Sequence, residues 1–236
     1  EPKKHGYCRM KEKDMLDFWE VETPSEFEAL ALKTFKFQYH NNTVYRSFCD
    51  LINCNPVEVH SSDDIPHLPI TFFKSKKVIS FEAQPTQFFS SSATTGVQTS
   101  KHFYRSLVDY EMSFKKGFEY FYGPVNQYTV LALLPSYLER SDSSLIYLVH
   151  QMIQESGQEE SGFYLNQWEA LKSKLLELEQ KGKKTLLLGV SFALMDFIER
   201  YKLSLENTIV METGGMKGRR KELTREALHE KLCEGF

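Results

Sequence analysis

Residues 128–134 read Tyr128-Thr129-Val130-Leu131-Ala132-Leu133-Leu134, an unbroken, mostly apolar run that Pro135 ends. A strand with one wet face alternates apolar and polar residues. A run without alternation predicts a strand buried on both faces. Such a strand needs layers above and below it, so the run constrains the chain to a layered α/β architecture. The flanking pattern agrees. Short strands are expected at 78–81 and 87–90, then a helix over about 102–122. A helix at 143–155 follows Asp142 as N-cap, and a short strand follows at 162–165. Asn166 with Glu169 caps a helix to about Gln180. A strand at 185–188, a helix at 191–201 and a strand at 208–211 complete the alternation. Thr224 then N-caps a helix to Leu232, with Glu226 in its first turn. The predicted fold class is α/β, a mostly parallel sheet with helices on both faces, preceded by a helical segment. Ligands on such sheets bind at the carboxyl ends of the strands.

Residues 1–70 read as that helical segment and 71–236 as the α/β region. Thr23-Pro24-Ser25-Glu26 is a capping box with Pro at the first helical position, opening a helix through about Gln38. Phe27, Leu30, Ala31, Thr34 and Phe35 fall on one face of it. Asn42 or Thr43 opens a second helix with Tyr45, Phe48, Leu51 and Ile52 inward. Three prolines, Pro56, Pro66 and Pro69, and the Ser61-Ser62-Asp63-Asp64 cluster make 55–70 a connector.

Composition narrows the functional classes. The 236 residues suit one large domain or two small ones. A net charge of −3 gives no pull toward nucleic acid or an anionic membrane. No run reaches the ~18 apolar residues of a membrane span. The opening residues carry no signal-peptide core, so the expected location is cytoplasmic. Cys8, Cys49, Cys54 and Cys233 form no Cys-x-x-Cys pair and read as free thiols of a reducing compartment. The seven histidines are scattered, and no protein-held metal is assigned. Eighteen Phe and twelve Tyr point to a large core and permit an apolar pocket.

The stretch 90–102 reads Ser-Ser-Ser-Ala-Thr-Thr-Gly-Val-Gln-Thr-Ser-Lys-His. Small residues let backbone N–H groups converge on a ligand, hydroxyls add donors, and a helix start adds partial positive charge. That makes a phosphate site. Composition alone equally allows a Ser/Thr-rich surface loop without a ligand. The stretch is no Walker A loop, because Gly96 is its single glycine and no Gly-Lys pair follows.

Ser91-Ser92-Ala93-Thr94-Thr95-Gly96 resembles the phosphate loop of the AMP-forming adenylating enzymes, with Ala93 in place of a glycine and the basic residue displaced to Lys101. The spacing is similar to that of the acyl-protein synthetase of bacterial bioluminescence and of phenylacetate-CoA-ligase-like proteins. Three other segments carry the same resemblance. They are 65–74 (Ile-Pro-His-Leu-Pro-Ile-Thr-Phe-Phe-Lys), 133–144 around Pro135-Ser136-Tyr137, and 211–222 around Glu212-Thr213-Gly214-Gly215. The likeness runs from about residue 60 to the end and weakly through the helical start.

This resemblance implies an ATP-dependent, AMP-forming carboxylate ligase. A carboxylate attacks the α-phosphorus of ATP, pyrophosphate leaves, and a thiol or other nucleophile takes the acyl group. By the resemblance Ser91, Ser92, Thr94, Thr95 and Gly96 hold phosphates, and Lys101 is the catalytic candidate that neutralises charge. By the resemblance Gly214 and Gly215 border the adenine and Lys217 stands near the anion; read from the residues alone, the glycines make a turn in a solvated loop and the basic side chains are solvated. Arg219, Arg220 and Lys221 complete a basic cluster there. Tyr137 and Arg140 line the acyl site or, read from the residues alone, pack and solvate its rim. ATP and Mg²⁺ are the implied cofactors. The partners are a fatty or aryl acid and an acyl-accepting or reductase protein. Ala93 is expected to stiffen the loop. The family's Tyr-Gly-x-Thr-Glu segment, which supplies adenine stacking and the Mg²⁺ carboxylate, is not present, and Cys233 lacks the context of the family's acyl-accepting cysteine. The chain is therefore expected to be the N-terminal portion of a longer ligase. A catalytically inactive acyl- or nucleotide-binding module and a structural interaction domain are the alternatives.

Overall fold

The computed structural model describes residues 19–81, 87–91, 99–134, 141–214, 216 and 220–236. The chain forms two compact units, residues 1–88 with 100–104 and residues 89–99 with 105–236.

In the first unit, local capping sets the helices. Thr23 Oγ1 accepts from Glu26 N, and the Glu26 carboxylate accepts from Thr23 N at 2.9 Å. That box opens α1 (Pro24–Asn41) with Pro24 where no N–H partner exists. Asn42 ends α1 and starts α2 (Thr43–Leu51), its Oδ1 accepting from Tyr45 N at 3.1 Å. Phe35, Tyr45, Cys49 and Val59 are the buried core. The expected inward set needs correction. Leu51 and Ile52 are exposed and Cys49 lies inside. The cause is that α2 stops at Leu51, so Tyr45 and Cys49, four apart, carry its buried stripe.

Residues 55–70 do more than connect. Val59 joins the core, Tyr45 donates its hydroxyl to Pro66 O at 2.7 Å, and Ser62 donates twice to the Glu28 carboxylate at 2.6 Å. The short helix α3 (Phe72–Ser75) follows. No strand forms over 78–81, contrary to expectation. β-branching and apolarity favour a strand only where a neighbouring strand supplies hydrogen bonds, and none among the described residues lies alongside. Strands β1 (Phe88–Ser90) and β2 (Lys101–Phe103) make a two-stranded sheet. The helix expected from residue 102 therefore starts later, as α4 (Val108–Tyr122).

The second unit is the α/β layer structure. Its elements after α4 are β3 (Thr129–Leu133), α5 (Ser144–Ser156), β4 (Gly162–Phe163), α6 (Trp168–Gln180), β5 (Thr185–Val190), α7 (Ser191–Arg200), β6 (Thr208–Thr213) and α8 (Arg225–Gly235). The sheet order is β4-β3-β5-β6 and every pairing is parallel. β3 and β5 are buried along their whole length, while β4 and β6 are half exposed edges. The unalternating runs are thus the two central strands, as their sequences require. The chain steps one way from β3 to β4 and the other way from β4 to β5 to β6. With right-handed crossovers α5 covers one face and α6 and α7 the other. Trp168 of α6 meets Phe197 of α7 at 6.3 Å, consistent with a shared face.

Two caps differ from expectation. Ser143, not Asp142, caps α5, its Oγ accepting from Ile146 N. α6 begins after Gln167 with no side-chain cap, so Asn166 and Glu169 do not form one. Thr224 caps α8 as expected, accepting from Ala227 N at 3.3 Å.

Candidate functional site

Parallel register brings the strand ends of the second unit together. Leu133 sits beside Gly189, and Gly189 beside Glu212, so the exits of β3, β5 and β6 share one edge. The step direction reverses between β3 and β5, which makes that edge the switch point where α/β sheets open a crevice.

Each exit has its own local cause. Gly189 lets β5 run straight into α7. A Cβ there would stand 2.6 Å from Leu194 Cγ, which is fully buried. Ser191 then starts α7 with its N–H groups at the edge. Ser191 Oγ donates in a short hydrogen bond to Glu212 Oε1 and lies 3.3 Å from Gly214 O. Gly214 turns with φ +81°, a left-handed geometry that glycine adopts without strain. The following Met216 is buried at 2% and pins the turn to the core.

The hydroxyl loop begins at the same edge. Phe89 of β1 is buried, and its ring lies 5.3 Å from Tyr110 and 5.9 Å from Tyr147. Ser90 N donates to the Asp142 carbonyl at 2.8 Å, just before the Ser143 cap of α5. The start of the loop and the turn after β3 are therefore neighbours.

Of the sequence-predicted site residues, Ser91 is exposed next to that contact. Gly214 is at the exit of β6. Lys101 is exposed on β2 with its ammonium 4.6 Å above the Phe88 ring, a cation–π contact. Ser92, Thr94, Thr95, Gly96, Tyr137, Arg140, Gly215 and Lys217 lie outside the described residues. The basic cluster needs one correction. Arg220 pairs bidentately with Glu199, at 2.5 and 2.6 Å, and donates to Asp196 at 2.6 Å. Glu199 and then Asp196 hold the guanidinium firmly charged, and Arg220 in turn keeps the Glu199 carboxyl below its ordinary range. Two carboxylates thus occupy Arg220, and it braces α7.

The sequence alone does not pair Ser191 with Glu212. The available signal was positional: a hydroxyl directly after a buried strand, and a carboxylate at the end of the next strand. Only the register of β5 and β6 joins them.

Among the described residues no group of three His, Cys, Asp or Glu side chains could hold a metal ion. No helix among them is long and apolar enough to cross a membrane.

The family model described as acyl-protein synthetase, LuxE, matches residues 11–136. Two long-chain-fatty-acid–luciferin-component ligases are similar in sequence. That of Vibrio harveyi is 29% identical over 83 residues, 34% of this chain and 22% of its own length. That of Aliivibrio fischeri is 33% identical over 84 residues, with the same coverage. The aligned stretch is thus about a fifth of either relative. No solved structure matches the chain.

Proposed function

Because this chain belongs to the LuxE acyl-protein synthetase family, we propose that it serves a ligase that activates a long-chain fatty acid and hands the acyl group to an acceptor. The carboxylate oxygen attacks the α-phosphorus of ATP. A new oxygen–phosphorus bond forms as the α–β bridging bond breaks, and pyrophosphate departs with that electron pair. A thiol, of a protein or of CoA, then attacks the acyl carbon and AMP leaves.

The observation that carries this reading is the common edge. The exits of three parallel strands and the start of the hydroxyl loop converge there through the β3–β5–β6 register and the Ser90–Asp142 hydrogen bond. Charge grows on the phosphate oxygens in the first step, so donors fixed in advance stabilise it. In this reading Ser91, Ser92, Thr94, Thr95 and Gly96 supply those donors, and Lys101 neutralises the departing charge. Gly214 and Gly215 leave room for the flat adenine because no Cβ intervenes. Lys217 faces the anion, while Tyr137 and Arg140 border the acyl group. Mg²⁺ enters only as the ion bound with ATP. Among the described residues no group of three His, Cys, Asp or Glu side chains would hold it without the nucleotide.

The test is carboxylate-dependent ATP–pyrophosphate exchange by the protein that carries this chain. Exchange with tetradecanoate, reduced at least tenfold by Thr94→Val with Thr95→Val, is the expected result. ATP binding without exchange for any carboxylate would overturn the ligase and leave a nucleotide-binding module.

A further inference from the structure

The first unit carries an apolar feature distinct from the hydroxyl loop and the strand exits. The α1 face formed by Phe27, Leu30, Ala31 and Thr34 has the spacing of a core-facing stripe, yet Phe27 is 59% exposed and the other three are only half-buried. The stripe lines an open cavity of about 730 Å³. Residues 78–81, apolar but in no strand, form another part of its wall, with Phe73 and Phe103. The volume is that of a small-molecule site. Apolar surface left wet costs about 25 cal/mol per Å², so a wall of this composition favours an apolar occupant.

The polar groups of the cavity are largely turned on one another. Gln38 Oε1 accepts from Asn42 Nδ2 at 3.2 Å and from Ser80 Oγ at 2.5 Å. Tyr45 donates to Pro66 O. Little remains inside to recognise a polar ligand. His67 and His102, both exposed, stand on the same lining. All of these residues fall within the 11–136 stretch that matches the family.

We propose that this cavity holds the alkyl chain of a long-chain acyl substrate. The choice of a fatty acyl chain rests on the ligase reading; the cavity and its apolar wall do not. Burying a methylene is worth about 0.8 kcal/mol, roughly a fourfold gain in affinity. The signature is therefore affinity that climbs with chain length until the cavity is full.

The experiment uses the full 236-residue chain and the fluorescent probe dansyl-undecanoate, displaced by saturated acids from octanoate to hexadecanoate. Displacement should strengthen roughly fourfold per methylene over the shorter acids. Ala31→Trp should fill the cavity and weaken probe binding at least tenfold, and Thr34→Phe should do the same should Ala31→Trp fail to fold. A diazirine-bearing fatty acid should label peptides within 21–103. Affinity independent of chain length, folded variants that bind like the parent, or labelling confined to 105–236 would each overturn the proposal. The two readings fail separately. Exchange with a fatty acid that ignores both cavity substitutions sinks this proposal alone, and chain-length-dependent binding without exchange sinks the ligase alone.

Discussion

Gly189 shows how one residue sets the site. The strand-to-helix turn at the sheet edge places Ser191 against Glu212, and it closes only because nothing extends from the Gly189 α-carbon toward Leu194. Gly189→Ala should destabilise the second unit by roughly 1–3 kcal/mol through overpacking, read as a drop in its thermal midpoint. An unchanged midpoint would mean that Leu194 has room to move. This role was invisible in the sequence, where Gly189 is a glycine in an apolar run. Its necessity comes from a neighbour five residues later that folds back onto it. The caps Thr23 and Thr224 were legible, and Asn42 as one of two choices with Thr43, because a cap is a contact within three residues of the chain. The shift of the α5 cap from Asp142 to Ser143 has an equally physical source. Asp142 and Ser143 are both good caps, and the choice falls to Ser143 while the Asp142 carbonyl accepts from distant Ser90.

Elements are held by a few polar clamps that also set their response to acid. Arg220 links the segment after β6 to α7 through Asp196 and Glu199. Because Arg220 depresses the Glu199 carboxyl below its ordinary value of 4.5, the folded state binds that proton less readily than the unfolded one. The stabilisation is therefore complete above the ordinary value and fades as pH falls through the depressed one. Arg220→Leu should lower the thermal midpoint at neutral pH, and the gap to the parent should close below pH 4.5. A gap that persists in acid would assign the loss to packing. A second clamp ties the end of α6 to the turn before β6. The Glu179 carboxylate accepts from Glu206 N at 2.8 Å, from Asn207 N at 2.9 Å and from Asn207 Nδ2 at 2.7 Å. Glu179→Ala should cost roughly 1 kcal/mol, at the low end for bonds to a charge because water screens the site, seen as a lower denaturation midpoint in urea. No change would mean that water replaces the carboxylate fully.

At the scale of the molecule, two cores of very unequal size carry the chain. The second unit packs its sheet between helices with Leu131, Leu133, Leu171, Leu175, Leu187 and Phe197 fully buried, whereas among the described residues the first relies on Phe35, Tyr45, Cys49 and Val59. Such a chain departs from single-transition unfolding. Leu187→Ala should weaken the larger core by roughly 2–5 kcal/mol and leave the first unit standing. The Cys49 thiol, buried and pushed up by burial, reports on the first unit. Its labelling rate should be unchanged in Leu187→Ala while the main thermal transition falls. A labelling rate that rises in step would show one cooperative unit instead. The central place of β3 followed from sequence alone, since the run 128–134 tolerates water on neither face, whereas 185–188 read only as a strand and its full burial along β5 is seen in the structure. The parallel sheet also followed from sequence, because alternation with helices leaves it no other economical connection. Tertiary structure decided whatever depends on partners far along the chain. Residues 78–81 have strand composition and no strand beside them, and the stripe of α1 has core spacing and faces an open cavity. Ser191 meets Glu212 only through the register of two parallel strands. Local preference is written within a few residues, whereas a strand partner, a cavity wall or a convergent edge exists only once distant segments are brought together.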